Sequence, residues 1–456
     1  MAPNRTEPWN PPRTWADLFI ALLLLAILVL AGNNPRFHPG HARPPADQVS
    51  LQGRFLDAAL GAARAQVWPP LRRWLQPERS LTVLAAGGNG GWDRALLAVH
   101  AGEAGDLATG ATLIKDAPGP AGDTFRQAWT WCYQHQGAPP PAGGLEPVRT
   151  ALGNGYAARI LEARLQARAG GDPRPLEDQA RAWATRRLLA YSAAGLGILL
   201  AGLAGLGFGL HLAMTPVPPR PLPHFGMSGR AVLIVLLGWF MTLLAAGPAL
   251  GLVLGLAPAL RPLSLPLVYA CHACLGTAYL CWAEGISLGE LWRRVAPAPR
   301  RTALAPGLGF LALAFTAVLA VSMVLGPMLH QSEPPQKELM EYLMHLRGAW
   351  TVVLLFGTVA LLAPAFEELL FRGFLLPWLG ERLGTRLGTR PGRFLAVALT
   401  GLGFALMHLQ PLGLPTLTTL GVVLGLAFLR TGNLVTSILV HGLWNGGVFL
   451  LMRLMA

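Results

Sequence analysis

Three charged residues, Glu367, Glu368 and Arg372, stand inside an apolar run that extends from Ala349 to Leu379. Placing an ionisable group at bilayer depth costs several kcal/mol, and most membrane helices avoid it. A run that keeps three of them is read as a membrane helix built around a functional site. Glu368 and Arg372 are four residues apart and share one helix face, so the spacing predicts an ion pair. Glu367 is turned about 100° away and has no partner within the stretch. One carboxylate is thereby assigned to structure and the other to chemistry. The plainer reading, two glutamates at a helix end solvated by headgroups, fits less well because apolar residues flank the pair on both sides.

The rest of the chain supports a membrane setting. Of its 456 residues, 53% are hydrophobic and 13% are charged, against about 25% charged in a soluble domain. The expected fold is all-α, a polytopic bundle of about nine transmembrane helices with a soluble helical domain inserted after the first. The formal charge is +13, and Lys115 and Lys337 are the only lysines. Arginine clusters flank apolar spans, and no basic run carries interleaved aromatics. The excess therefore reads as membrane topology, and nucleic acid is excluded as a partner. Cys132 stands alone, while Cys271, Cys274 and Cys281 share one apolar helix. Cys271-x-x-Cys274 has no second pair to complete a zinc site, so helix packing is its expected role.

Four regions follow in chain order. Residues 1–32 hold a polar tail and an apolar segment from Trp15 to Gly32, read as an uncleaved signal anchor. Residues 33–187 contain no run long enough to span. Helix-like stretches there stop at Gly105, Gly137 and Gly171, about 32 to 34 residues apart, the period of tetratricopeptide-like hairpins. Irregular helices without repeats are the alternative. Additional spans are expected in 188–283 and the catalytic membrane domain in 284–456. Arg293, Arg294, Arg300 and Arg301 fill one connection, and Arg382, Arg386, Arg390 and Arg393 another. Both are assigned to the cytoplasm, which places the N-terminus inside and residues 33–187 on the exoplasmic side. Gln331 to Arg347 is amphipathic and reads as a surface or connecting helix.

Two further polar pairs occupy the last spans. Phe404 and His408 are four apart, as are His441 and Asn445, so each pair projects from one helix face. Counting about 1.5 Å per residue, Glu367 and His408 both lie about 20 Å from the second arginine-rich connection, and His441 about 10 Å into its span. One cavity can gather all of them.

These residues resemble the CAAX prenyl protease and bacteriocin-processing family of intramembrane proteases, which includes lysostaphin-resistance-protein-A-like membrane proteins. The family's three motifs stand here as Glu367-Glu368…Arg372, Phe404…His408 and His441…Asn445. The resemblance spans roughly residues 285 to 455 and leaves residues 33–187 outside it. It implies an endopeptidase acting near the membrane surface on a membrane-associated protein or peptide. Glu367 and His408 would activate water, and His441 and Asn445 would stabilise the oxyanion. Glu368, Arg372 and Phe404 would support the site. On metal the resemblance is divided. Glu367, His408 and His441 form a ligand set that zinc could take, whereas a glutamate-dependent, metal-free site is favoured by the lack of a His-Glu-x-x-His motif.

Two other classes compete. One is a non-catalytic immunity or scaffold protein that binds a protein partner through residues 33–187. The other is an ion-coupled transporter, which would be expected to show an internal duplication of spans that this chain lacks.

Overall fold

The structure is a computed structural model that describes residues 8–18, 20–21, 51–65, 91–134, 145–215, 220–255, 263–297, 303–325, 348–408 and 410–455. Among these residues the secondary structure is entirely helical. Most of the Trp15–Gly32 segment, Gly137 and the Gln331–Arg347 stretch lie outside them. The chain divides into two compact units: His41–Leu196 with Leu454–Ala456, and Gly197–Arg453 with Met1–Gly40.

The first unit is built from α1 (Leu51–Arg64), α2 (Gly91–Ala104), α3 (Leu107–Leu113), α4 (Gly119–Tyr133), α5 (Glu146–Leu152), α6 (Tyr156–Arg168) and the start of α7 (Arg174–Met214). Its core packs Trp92, Leu96, Phe125, Trp129, Ile160 and Leu161. The Trp129 indole N–H donates to the Ala98 carbonyl at 2.8 Å, so the largest core side chain is also satisfied. Cys132 is buried in the same core. Burial pushes its thiol up to about 12, which keeps it protonated and inert.

A single buried carboxylate ties α1 to α6. Asp57 accepts the N–H groups of Tyr156 at 2.7 Å and Ala157 at 2.9 Å, and lies 3.0 Å from His100 Nε2. It caps the N-terminus of a helix about a hundred residues away in sequence. That end has no cap from its own Gly155. Asp57→Ala should therefore leave two helix N–H groups and a buried imidazole unpaired, at about 1–3 kcal/mol. Hydrogen exchange is the check: amides across α6 should lose about tenfold or more of their protection.

The second unit contains the end of α7, then α8 (Gly229–Gly255), α9 (Ser264–Glu284), α10 (Leu288–Val295), α11 (Leu304–Leu325), α12 (Ala349–Leu387), α13 (Thr389–Met407), α14 (Leu414–Thr431) and α15 (Leu434–Met455). Ser287 opens α10 by accepting the Glu290 N–H at 3.2 Å, the start of a Ser-x-x-Glu capping pattern. Among the described residues five helices are long and apolar enough to cross a membrane: α7, α11, α12, α14 and α15. The remaining spans counted in the sequence correspond to α8, α9, α13 and the Trp15–Gly32 segment. The protein is an integral membrane protein.

Helices α13 and α14 cross where two glycines meet. A Cβ on Gly421 would fall 2.8 Å from the Gly401 Cα. Removing both side chains lets the backbones approach closely, as small residues do throughout membrane helix packing. The crossing also leaves the Gly421 carbonyl within reach of a side chain from α12.

Candidate active site

Helix α12 carries the first motif, and its backbone is irregular where the motif lies. Thr358–Leu362 and Leu369–Leu375 are wide π-type turns on either side of Ala363–Glu368. The first has a local cause. Pro364 has no N–H to donate, and its ring would strike the carbonyl one turn earlier in a regular helix. The helix opens instead, with the Ala363 N–H reaching back to the Thr358 carbonyl. The Val359 carbonyl thereby loses its donor: in this wide register Pro364 would have supplied it. Asn445 on α15 takes that carbonyl through Nδ2 at 3.1 Å. Single π-turns inside α-helices occur frequently at functional sites.

Four residues on from His441, Asn445 thus braces α15 against α12. Gly442 makes the approach possible. A Cβ there would fall 2.5 Å from the Ala360 carbonyl oxygen, so any side chain would push the helices apart.

The ion pair expected from spacing is present. Arg372 Nη1 donates to Glu368 Oε1 at 2.7 Å, and both side chains are fully buried. Arg372 Nη2 donates to the Gly421 carbonyl at 2.9 Å. Its guanidinium also lies over the Phe404 ring, 4.7 Å from the centroid. Stacking on an aromatic face suits the planar, weakly hydrated guanidinium.

His441 completes this cluster. Its Nδ1 lies 2.9 Å from Glu368 Oε1, and its Nε2 lies 3.9 Å from Glu367 Oε2. A carboxylate already paired with Arg372 accepts, so the His441 Nδ1 carries the proton and Nε2 faces Glu367. Carboxylate, imidazole and a group in front of it recur wherever a histidine is held in one tautomer for proton transfer. Glu368 is buried completely, whereas the Glu367 side chain keeps 18% of its surface exposed. Glu368 is neutralised by Arg372; Glu367 is the carboxylate left over.

Phe404 is the hub. Its ring meets His441 edge-on at 5.4 Å, His408 at 4.7 Å and Phe371 at 5.6 Å. His408 is half-buried at the end of α13, and its Nδ1 lies 2.8 Å from the Phe404 carbonyl. A carbonyl only accepts, so His408 Nδ1 is protonated and Nε2 presents a lone pair when the ring is neutral. Among the described residues His408 makes no direct polar contact with Glu367 or His441.

Among the described residues no three His, Cys, Asp or Glu side chains are grouped to hold a metal ion. His441 Nδ1 is turned to Glu368, and the His408 ring packs against Phe404 at 4.7 Å.

Two features carried no signal in the sequence. The contact between His441 and Glu368 joins helices whose relative rotation no spacing reveals. The second is an aromatic cluster around Phe366, the residue before Glu367. Trp239 from α8 stacks on His272 from α9 at 4.5 Å, and both pack on Phe366 at 5.2 Å. The Asn445 brace was detectable in principle, since Pro364 inside an apolar run requires a freed carbonyl nearby.

Residues 349–447 match the Rce1-like family model, described as Type II CAAX prenyl endopeptidase Rce1-like. The matched stretch runs from the start of α12 into α15 and contains all three motifs. It supports a CAAX-protease-like membrane enzyme. Neither curated proteins nor solved structures gave a match.

Proposed function

We propose that the chain is an intramembrane endopeptidase that hydrolyses a peptide bond of a membrane-associated protein or peptide. The observation that carries this reading is the division of the two carboxylates. Arg372 and His441 occupy Glu368, whereas Glu367 is partly exposed and, among the described residues, its ion-pair contact is with His441 Nε2 at 3.9 Å. Two groups at that separation can share one water at ordinary hydrogen-bond lengths.

Glu367 takes a proton from that water while His408, through Nε2, helps to orient it. The hydroxide adds to the carbonyl carbon, and the carbonyl oxygen becomes the oxyanion. Preorganised donors aimed at this oxygen supply much of the catalysis in such sites. Asn445 has one amide N–H on Val359 and a second to offer. His441 donates from Nε2 when it holds a second proton. Collapse of the intermediate breaks the C–N bond, and Glu367 returns its proton to the leaving amine. The reaction requires no metal step. Residues 33–187 lie on the exoplasmic side in this scheme, as the arginine distribution indicates.

The test is cleavage of a quenched-fluorescent peptide library by the purified full chain, with products identified by mass spectrometry. Cleavage should occur and persist in chelator. Asn445→Ala removes one oxyanion donor, so kcat should fall roughly 10²–10³-fold with measurable turnover left. The same change removes the brace to Val359 and should cost about 1 kcal/mol of stability. Absence of any product from wild type across membrane-derived peptides would favour the scaffold reading.

A further inference from the structure

Helices α9 and α12 run side by side in the same direction, tied together near their C-terminal ends by one residue. The Met227 N–H donates to Glu284 Oε1 at 3.2 Å, and the Met227 carbonyl accepts from Trp378 Nε1 at 2.9 Å and from Arg382 Nη2 at 2.6 Å. Further in, the His272 ring meets Phe366 edge-on at 5.2 Å. His272 is twelve residues before Glu284, and Phe366 is twelve before Trp378, so the two helices keep step. Glycine lets them do so at close range. A Cβ on Gly276 would fall 2.7 Å from Phe366 Cζ and 2.3 Å from Trp239 Cδ1. The Thr242 hydroxyl donates to the Trp239 carbonyl at 2.7 Å and lies 2.8 Å from His272 Nδ1, which holds the imidazole in this seat.

Tyr269 lies about one turn before His272 on the same face of α9. Helix side chains lean toward the N-terminus, so the Glu367 carboxylate is carried back along α12 toward the level of Tyr269. The electrostatics agree: among the described residues Glu367 is the one charged group that acts on the Tyr269 phenol. No hydrogen bond engages the Tyr269 hydroxyl among those residues. Glu367 has capacity to accept one, since its contact with His441 Nε2 is 3.9 Å long.

We propose that Tyr269 positions the base of the site: its O–H donates to the Glu367 carboxylate and holds it toward the water that Glu367 deprotonates. The inference rests on the catalytic reading of Glu367. It adds a residue from α9, outside the residues 349–447 that match the family model. Tyr269 acts through Glu367 and not on the substrate, so its loss slows the chemical step and leaves substrate binding alone. Such hydrogen bonds are often open in the free enzyme and close in the Michaelis complex.

The experiment is steady-state cleavage, by the full chain in detergent, of a peptide that wild type cleaves. Wild type, Tyr269→Phe, Glu367→Gln and the double variant are compared, with thermal unfolding recorded for each. Tyr269→Phe keeps the ring and removes only the hydroxyl. Its kcat should fall about ten- to hundredfold, as loss of one hydrogen bond to a charged group implies. KM and the unfolding transition should stay unchanged. On the Glu367→Gln background the same change should cost almost nothing further, because the group it serves is gone. Wild-type kcat in Tyr269→Phe would overturn the inference. So would a raised KM at unchanged kcat, which would put the hydroxyl on the substrate. A full-sized further loss on the Glu367→Gln background would detach Tyr269 from Glu367, and a lowered unfolding transition would make the hydroxyl structural; either result also overturns it. Failure of the underlying catalytic reading looks different: wild type cleaves no peptide, or Glu367→Gln cleaves as well as wild type.

Discussion

Arg372→Ala is expected to lower folded yield and thermal stability more than any other single change in the candidate site. The guanidinium is fully buried and serves three neighbours at once: Glu368 at 2.7 Å, the Gly421 carbonyl at 2.9 Å and the face of Phe404. Truncation leaves Glu368 charged in a sealed interior with only His441 beside it. Breaking a buried pair in this way costs about 3–5 kcal/mol, because the surviving charge has lost its counterpart. Loss of the α12–α14 strut and of packing against Phe404 adds to that figure. Arg372→Lys restores the charge but neither the fork nor the stacking, so it should recover only part of the loss. Thermal unfolding of the detergent-solubilised variants is the measurement. Wild-type stability in Arg372→Ala would mean that Glu368 is not a charged partner in the folded protein.

How much of this could be read in advance depended on whether partners lie on one helix or on two. Glu368 and Arg372 are separated by about one turn, and one turn is what periodicity reports; their pairing was legible. Phe404 and His408 likewise meet as neighbours on one face. His441 and Asn445 also share a face, yet they reach different targets on α12, Glu368 and the Val359 carbonyl. That divergence stems from the wide turn before Pro364, which regular spacing does not anticipate. The expectation that Glu367 stands unpartnered within its own stretch holds, but it omitted His441 from a helix far along the chain. The switch from polar to apolar composition near Leu188 was clear. The packing boundary falls instead inside the continuous helix α7, between Leu196 and Gly197. A helix can change environment without interruption, so composition and compactness need not divide at the same residue.

The second large effect concerns Glu367, whose role is the centre of the account. Glu367→Gln keeps the size and polarity of the side chain and removes its capacity to accept a proton. The water beside it is then neither deprotonated nor able to return a proton to the leaving amine, and a general base contributes roughly 10²–10⁴-fold. Folding should be spared, because the substitution neutralises a partly buried carboxylate that, among the described residues, has no Arg or Lys paired with it and only His441 nearby at 3.9 Å. Glu368→Gln should behave differently, losing stability together with activity, since it breaks the pair with Arg372. The decisive measurement is the steady-state cleavage rate of Glu367→Gln on a peptide that wild type cleaves, with thermal unfolding recorded on the same preparation. The account requires turnover to fall by at least about 10²-fold with the unfolding transition unchanged; turnover equal to wild type in a folded Glu367→Gln protein would contradict it.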